Sequence, residues 1–188
     1  MQSIRLYVRY AILLIAFIGA FCLPGTAASQ DGTVLRIAPA EVTADQCGLP
    51  VIAVQLENVT DLTAYSVLLR FDAQVLRVLE VSNGQFLTGE VPAPDNAVDN
   101  AAGTVRFGMV RVEAGDNPPE SGSGDLVLLR VMALQPGQTA QLNIDKAETD
   151  LVGWTNDTVI DIPYEAENGI IHTGGCVTHN VYLPLIKR

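Results

Sequence analysis

Residues 62–81, LTAYSVLLRFDAQVLRVLEV, decide the fold class. From Thr63 onward every second residue (Thr63, Tyr65, Val67, Leu69, Phe71) suits a buried face, while Ala64, Ser66, Leu68 and Arg70 point the other way. A period of two belongs to a strand with one face on a core. Asp72-Ala73-Gln74 makes a polar corner, after which Val75, Leu76, Val78, Leu79 and Val81 resume a β-branched and aliphatic run. The stretch therefore reads as two strands joined by a short corner. No helical period fits it as well.

Working outward, strand-like runs recur at Thr33–Ala38, Val51–Leu56, Thr104–Val112, Asp125–Leu134, Ala140–Ile144, Thr158–Ile162 and Gly169–His172. Turn-rich segments separate them, among them Ser82-Asn83-Gly84, 99–103, Gln135-Pro136-Gly137 and the Gly/Pro/Ser/acid stretch 113–125, which reads as a surface loop. Eight or nine strands without a useful amphipathic helix predict an all-β sandwich. Within 125–134, Val127, Leu129, Val131 and Ala133 share one face and Leu128, Arg130 and Met132 the other. Both faces are partly apolar, so a loop or a partner is expected over one of them.

The N-terminus stands apart from this pattern. Arg5 and Arg9 precede an apolar run from Ala11 to Leu23, Pro24-Gly25 ends it, and Thr26 and Ala28 fit the small-residue positions of a cleavage site. At about 13 residues the run falls short of the roughly 20 a membrane span needs. Residues 1–28 read as a signal peptide, 33–176 as one domain and 177–188 as a C-terminal tail, in a protein secreted to the cell exterior with no membrane insertion after cleavage. All 21 acidic residues follow the signal, against nine of the eleven basic ones, since Arg5 and Arg9 precede it. The remaining chain thus carries −12, against −10 for the whole. Such a surface repels nucleic acid and anionic lipid.

Beyond the signal two cysteines remain, Cys47 and Cys176, in a compartment where disulfides persist. Pairing is the simplest reading, and it ties the start of the domain to its end. The spacing His172-x3-Cys176-x2-His179 has the look of a metal cluster, but a disulfide removes its thiolate. No metal site is expected there.

Enzymatic groups are scarce. His172 and His179 are the only histidines, and neither a nucleophile elbow, a phosphate-binding glycine loop nor a zinc-protease pattern occurs. The chain is expected not to be an enzyme and to need no cofactor. Calcium has some support, because Asp95, Asp99, Asp116, Asp145, Glu148, Asp150 and Asp157 fall in or beside loops and could supply oxygen ligands. A solvated acidic rim explains them more simply. Of the aromatics, Tyr65 and Phe71 belong to the core by parity; Phe107 is ambiguous, sharing with Val105 and Met109 a face that is most simply the inner one. Trp154, in the turn-like segment 152–158, is the candidate platform for polysaccharide, with a plug at one end of the sandwich as its plainer reading. Asn58-Val59-Thr60 and Asn156-Asp157-Thr158 are glycosylation sequons.

Taken in order, these motifs resemble the cohesin domains of bacterial cellulosomes and of non-cellulosomal secreted proteins. The likeness rests on Phe71-Asp72-Ala73-Gln74-Val75-Leu76 as a strand-corner-strand signature, with Ala73 where that family often has proline. Around it stand VIAVQLENV (51–59), GTVRFGMV (103–110), GDLVLLRVMA (124–133) and Asn168-Gly169-Ile170-Ile171, so the likeness spans about 34–173. The resemblance implies a nine-stranded jelly-roll sandwich whose first and last strands lie side by side in parallel. It also implies that a dockerin-like protein binds one exposed sheet face. Carried over, that face holds Ser66, Leu68 and Arg70, then Arg106, Gly108 and Val110, then Gln141 and Asn143. Arg70 and Arg106 are its expected anchors. A carbohydrate-binding module using Trp154 and its neighbouring loops is the alternative.

Overall fold

Period-two sequence becomes two packed layers of strand in the computed structural model, which describes residues 32–87, 90–111, 118–155 and 158–176. The strands are β1 (Val34–Ala38), β2 (Glu41–Asp45), β3 (Val51–Phe71), β4 (Leu76–Asn83), β5 (Glu90–Pro92), β6 (Ala97–Asp99), β7 (Thr104–Arg111), β8 (Glu120–Ala133), β9 (Thr139–Ile144), β10 (Asp150–Thr155), β11 (Thr158–Asp161), β12 (Glu165–Glu167) and β13 (Gly169–Gly174). The proposed signal peptide and the tail 177–188 lie outside the described residues. Among those described, no helix is long and apolar enough to cross a membrane.

One long strand organises both layers. The N-terminal half of β3 lies between β1 and β8, with β12 beyond β1 and β4 beyond β8. Its C-terminal half lies between β7 on one side and β10 and then β9 on the other. Short β5 and β6 extend β7, β11 extends β10, and β13 and β2 follow β9. The strand changes layer where Asn58 (φ 54°) and Asp61 (φ 58°) take left-handed backbone, which Asn and Asp tolerate better than most residues. Its ladder to β8 is interrupted there, and the freed amides of Asn58 and Asp61 donate to Ser123 Oγ (3.0 Å) and Ser121 Oγ (2.9 Å). Residues 120–124, expected in a surface loop, are therefore strand, and their serines serve the bend in β3.

Leu35, Ile52, Leu56, Val67, Leu129 and Leu142 are among the fully enclosed side chains between the layers. Tyr65, Phe71 and Met109 join this core, and Phe107 packs against it, as parity predicts. Thr63 departs from the pattern: Leu62 is buried in its place. The ladder from β3 to β10 skips a residue there, pairing Ala64 with Val152 but Leu62 with Gly153, so the side chains change face. Leu79 leaves the core for the same reason, standing exposed at a bulge between Val78 and Glu80.

The expected parallel pair of end strands is present. Ile170 of β13 lies opposite Glu41 of β2 and Gly174 opposite Asp45, and the Cys47–Cys176 disulfide joins the chain just past both strands with Cα atoms 5.4 Å apart. Among the described residues thirteen strands stand where nine were expected: two predicted runs fuse into β3, while β2, β10 and the three-residue β5, β6 and β12 fall outside the predicted runs. Residues 152–155, expected in a turn, belong to β10. With β11 they form a hairpin in which Thr155 faces Thr158.

Candidate functional site: the outer face of the β7–β3–β10 layer

Because side chains alternate across a strand, the residues of β3 that turn from the core share a face with their neighbours on β7, β9 and β10. Four cross-strand rows result: Val110–Ala64–Val152, Gly108–Ser66–Asp150, Arg106–Leu68, and Thr104–Arg70–Asn143. Gln141, two residues before Asn143 on β9, is exposed on the same side. Seven of the eight expected residues thus meet around β3, with Gln141 at the margin. Their accessibility differs sharply from the expectation.

Leu68 is not open to solvent. It is 7 % exposed yet lies outside the core cluster, forming the floor of a groove of about 460 Å³ walled by Arg70, Asp95, Asp99, Arg106 and Glu148. The connection from β9 to β10 folds over it: the Leu68 amide donates to Thr149 Oγ1 (3.0 Å), and the Asp145 amide donates to the Leu68 carbonyl (2.9 Å). Gly108 is covered too. The turn 93–96 straps it down, Asn96 Oδ1 accepting from the Gly108 amide at 2.6 Å while Asn96 Nδ2 (3.0 Å) and the Ala93 amide (2.9 Å) donate to its carbonyl. A Cβ at this position would stand 2.5 Å from the Tyr65 carbonyl oxygen and 3.3 Å from Ala93 Cβ, which explains the glycine.

Neither arginine is a bare cation. Arg70, 55 % exposed, donates from Nε to Asp145 Oδ2 at 2.6 Å. That bond holds the Asp145 carboxyl below its ordinary value, and the amides of Ala147 and Glu148 act in the same direction. Arg106, 26 % exposed, donates from Nη2 to Glu148 Oε2 (2.9 Å) and from Nη1 to the Glu148 carbonyl (3.3 Å) and Ser66 Oγ (3.4 Å), with Asp95 at 3.7 Å. The expected anchors are part of a lattice in which acids outnumber them.

The far end of the face is apolar. Val110 (42 % exposed), Val152, Trp154 and Val159 (59 % exposed) line a slot of about 260 Å³ with Thr63, Ala64, Arg111 and Pro119. Trp154 is cross-strand to Val159, so both project on the side of Val152 and Ala64. It neither plugs the sandwich nor stands on a loop. The Thr63 hydroxyl is spent on the Val152 carbonyl (3.1 Å) and Arg111 on the Pro118 carbonyl (2.5 Å) and Glu120 (3.2 Å).

Of the acids that could serve calcium, Asp95, Asp99, Asp145 and Glu148 stand about the groove with Arg70 and Arg106 among them. Asp99 Oδ1 accepts from the amides of Ala101 and Ala102 (2.9 Å each), Asp145 and Glu148 answer the arginines, and Asp116 and Asp157 lie outside the described residues. Among those described, no three or more His, Cys, Asp or Glu gather as a metal group. His172 lies beside Glu41 (2.6 Å) and Thr139 (3.1 Å), Cys176 is disulfide-bonded, and His179 lies outside the described residues.

Sequence reasoning missed Asn96, Thr149 and Val159. A signal existed for two of them. Pro94-Asp95-Asn96 is turn chemistry, and Asn156-Asp157 between two apolar-polar runs is a hairpin signature that puts Val159 beside Trp154. Thr149 carries none.

The family model for the cohesin domain matches residues 51–172, well over half of the chain. Among solved structures, a non-cellulosomal cohesin from the archaeon Archaeoglobus fulgidus is similar at 16 % identity and a TM-score of 0.60, covering 76 % of this chain and 91 % of that one. The seventh ScaB type I cohesin from Pseudobacteroides cellulosolvens matches at 16 % identity and 0.59, covering 84 % and 97 %. The sixth cohesin of scaffoldin B from Acetivibrio cellulolyticus, in complex with a dockerin, matches at 14 % identity and 0.59, covering 76 % and 99 %. At these identities the likeness establishes the fold. No curated protein matches the sequence.

Proposed function

The chain belongs to the cohesin domain family, and from that premise we propose that it is a secreted, non-catalytic recognition module binding a dockerin-type protein through the outer face of the β7–β3–β10 layer. One observation carries the reading. On that face the two arginines are already held by Asp145, Glu148 and Asp95, above a leucine floor and on paired strands. Side chains fixed before binding lose little freedom when a partner arrives, which is what a recognition surface needs. The Acetivibrio cellulolyticus relative was solved with a dockerin, which supports the partner class. Secretion fits the Cys47–Cys176 bridge and the pattern of residues 1–28.

Polysaccharide binding has less support. Trp154 is half-buried among aliphatic side chains, and the hydroxyl and guanidinium nearest it are engaged within the chain. Sugar recognition calls for an open ring with free polar groups beside it.

The test is calorimetry with a panel of purified dockerin modules against the full chain and its Ser66→Phe variant, which places a bulky ring at the centre of the face. Binding by a panel member to the parent, lost in Ser66→Phe at unchanged melting temperature, supports the reading. A panel that binds neither protein, or both equally, refutes it.

A further inference from the structure

The geometry points to a two-part docking face: an apolar slot around Trp154 takes a large aliphatic or aromatic side chain, and the acid-rimmed groove over Leu68 takes a lysine or arginine from the same segment of a protein partner. This rests on the dockerin reading above and names the chemistry of the segment that the face accepts.

Both parts lie on one strand. Ala64 stands in the slot and Leu68 under the groove, four residues apart on β3 and on the same face. At roughly 3.3 Å per residue their separation is about 13 Å. A helical segment, rising about 1.5 Å per residue, sets an apolar and a basic side chain seven or eight positions apart about 10–12 Å from each other on one face. An extended segment sets them about 13 Å apart at four positions, so either reaches both parts.

Charge selects the sign at the groove. Asp95, Asp99, Asp145 and Glu148 surround Arg70 and Arg106 there, an excess of two acids on a chain whose net charge is −10. The Asp95 and Glu148 side chains are each more than half exposed and lean on the same guanidinium. A partner cation joins them without parting any pair, while a partner acid has to break one. The slot has the opposite character. Val110, Val152, Trp154, Val159 and Pro119 offer it aliphatic and aromatic surface. An anchor entering such a pocket beside a polar neighbour site is how a few residues come to dominate an interface.

Trp154 is the chain's only tryptophan, so its emission reports on the slot alone. The experiment titrates the full chain with tryptophan-free dockerin modules, following Trp154 emission and calorimetric heat together. The expected result is a blue shift that saturates with the heat, at least a tenfold loss of affinity in Val159→Asp at unchanged melting temperature, and weakening as salt rises. A dockerin whose binding is lost in Ser66→Phe but leaves Trp154 emission unmoved and tolerates Val159→Asp overturns the two-part face while the proposed function stands. A panel in which no dockerin binds removes both. A shift of Trp154 emission by cello- or xylo-oligosaccharides alone gives the slot to carbohydrate and overturns the inference.

Discussion

Replacing both bridged cysteines, Cys47→Ser with Cys176→Ser, tests how the two ends of the domain are held. The disulfide spans 129 residues of sequence. In the chain-entropy model a loop of that length restricts the unfolded ensemble by about 5 kcal/mol at 25 °C, and measured bridges give between 2 and 5. Against a total stability of about 5–15 kcal/mol this is a large share. The native ladder that the bridge backs is short, running from Ile170 opposite Glu41 to Gly174 opposite Asp45, and among the described strands β2 pairs with β13 alone. Urea unfolding of the double variant should therefore show a midpoint lowered by the equivalent of about 3–5 kcal/mol. Reductant should bring the parent down to the same midpoint and leave the variant unmoved. The β2–β13 edge is separated from β3 by β9, so dockerin affinity below the melting transition should stay within about twofold. A loss under about 1 kcal/mol, or two reactive thiols in the unreduced, denatured parent, would refute the reasoning.

Leu68→Ala removes the groove floor and should cost about 2 kcal/mol in urea unfolding, near the low end for a leucine because the site opens to water on one side. A loss near zero would show that Leu68 is in practice solvated. Gly108→Ala forces a methyl group against the Tyr65 carbonyl and Ala93, so about 1–3 kcal/mol should be lost, with faster hydrogen exchange at the Gly108 and Ala93 amides as the strap lifts. Unchanged exchange at both amides would count against the strap. Asp145 has its carboxyl held below 3.8 chiefly by the Arg70 hydrogen bond, so the pair's contribution is present above that pH and is lost as pH falls through the lowered folded value. The melting-temperature gap between the parent and Arg70→Ala should stay level from about pH 7 to 5 and close in stronger acid; a gap that widens in acid contradicts it.

How much of this was legible in the sequence depended on whether a residue's environment is made by its own strand. Tyr65, Val67, Leu69 and Phe71 were readable because a regular ladder enforces alternation, and their burial follows from the pleat alone. Thr63, in the same run, was misread because a skipped residue opposite β10 moves the alternation by one, and nothing in its own neighbours announces that. The two end strands and their bridge were accessible because, with residues 1–28 read as a signal peptide, two cysteines remain and leave one simple pairing. The outward direction of Leu68 was also right, since it lies outside the core. What covers it comes from Thr149, 81 positions away, and from the turn at Asp95. A face can be assigned from local pattern, whereas its exposure depends on loops whose course the pattern does not contain.

The same distinction reverses the meaning of the arginines. On a chain of net charge −10, Arg70 and Arg106 read from the sequence as exposed anchors of the binding face. In the fold, each lies within ion-pair distance of acids of its own chain, and Asp95 and Glu148 converge on one guanidinium. An incoming carboxylate would have to separate Arg106 from oxygens already 2.9 and 3.7 Å away, giving up one pair to make another. A lysine meets the outer sides of those carboxylates with their geometry already fixed, and the arginines then act as the struts that hold them. Meanwhile Trp154, which the sequence offers as a sugar platform or an end plug in a turn-like segment, shares β10 with Val152 and lines the slot at the other end of the face. Two separate sequence signals, one for protein and one for sugar, thus fall on one surface, and its chemistry is acidic at one end and apolar at the other.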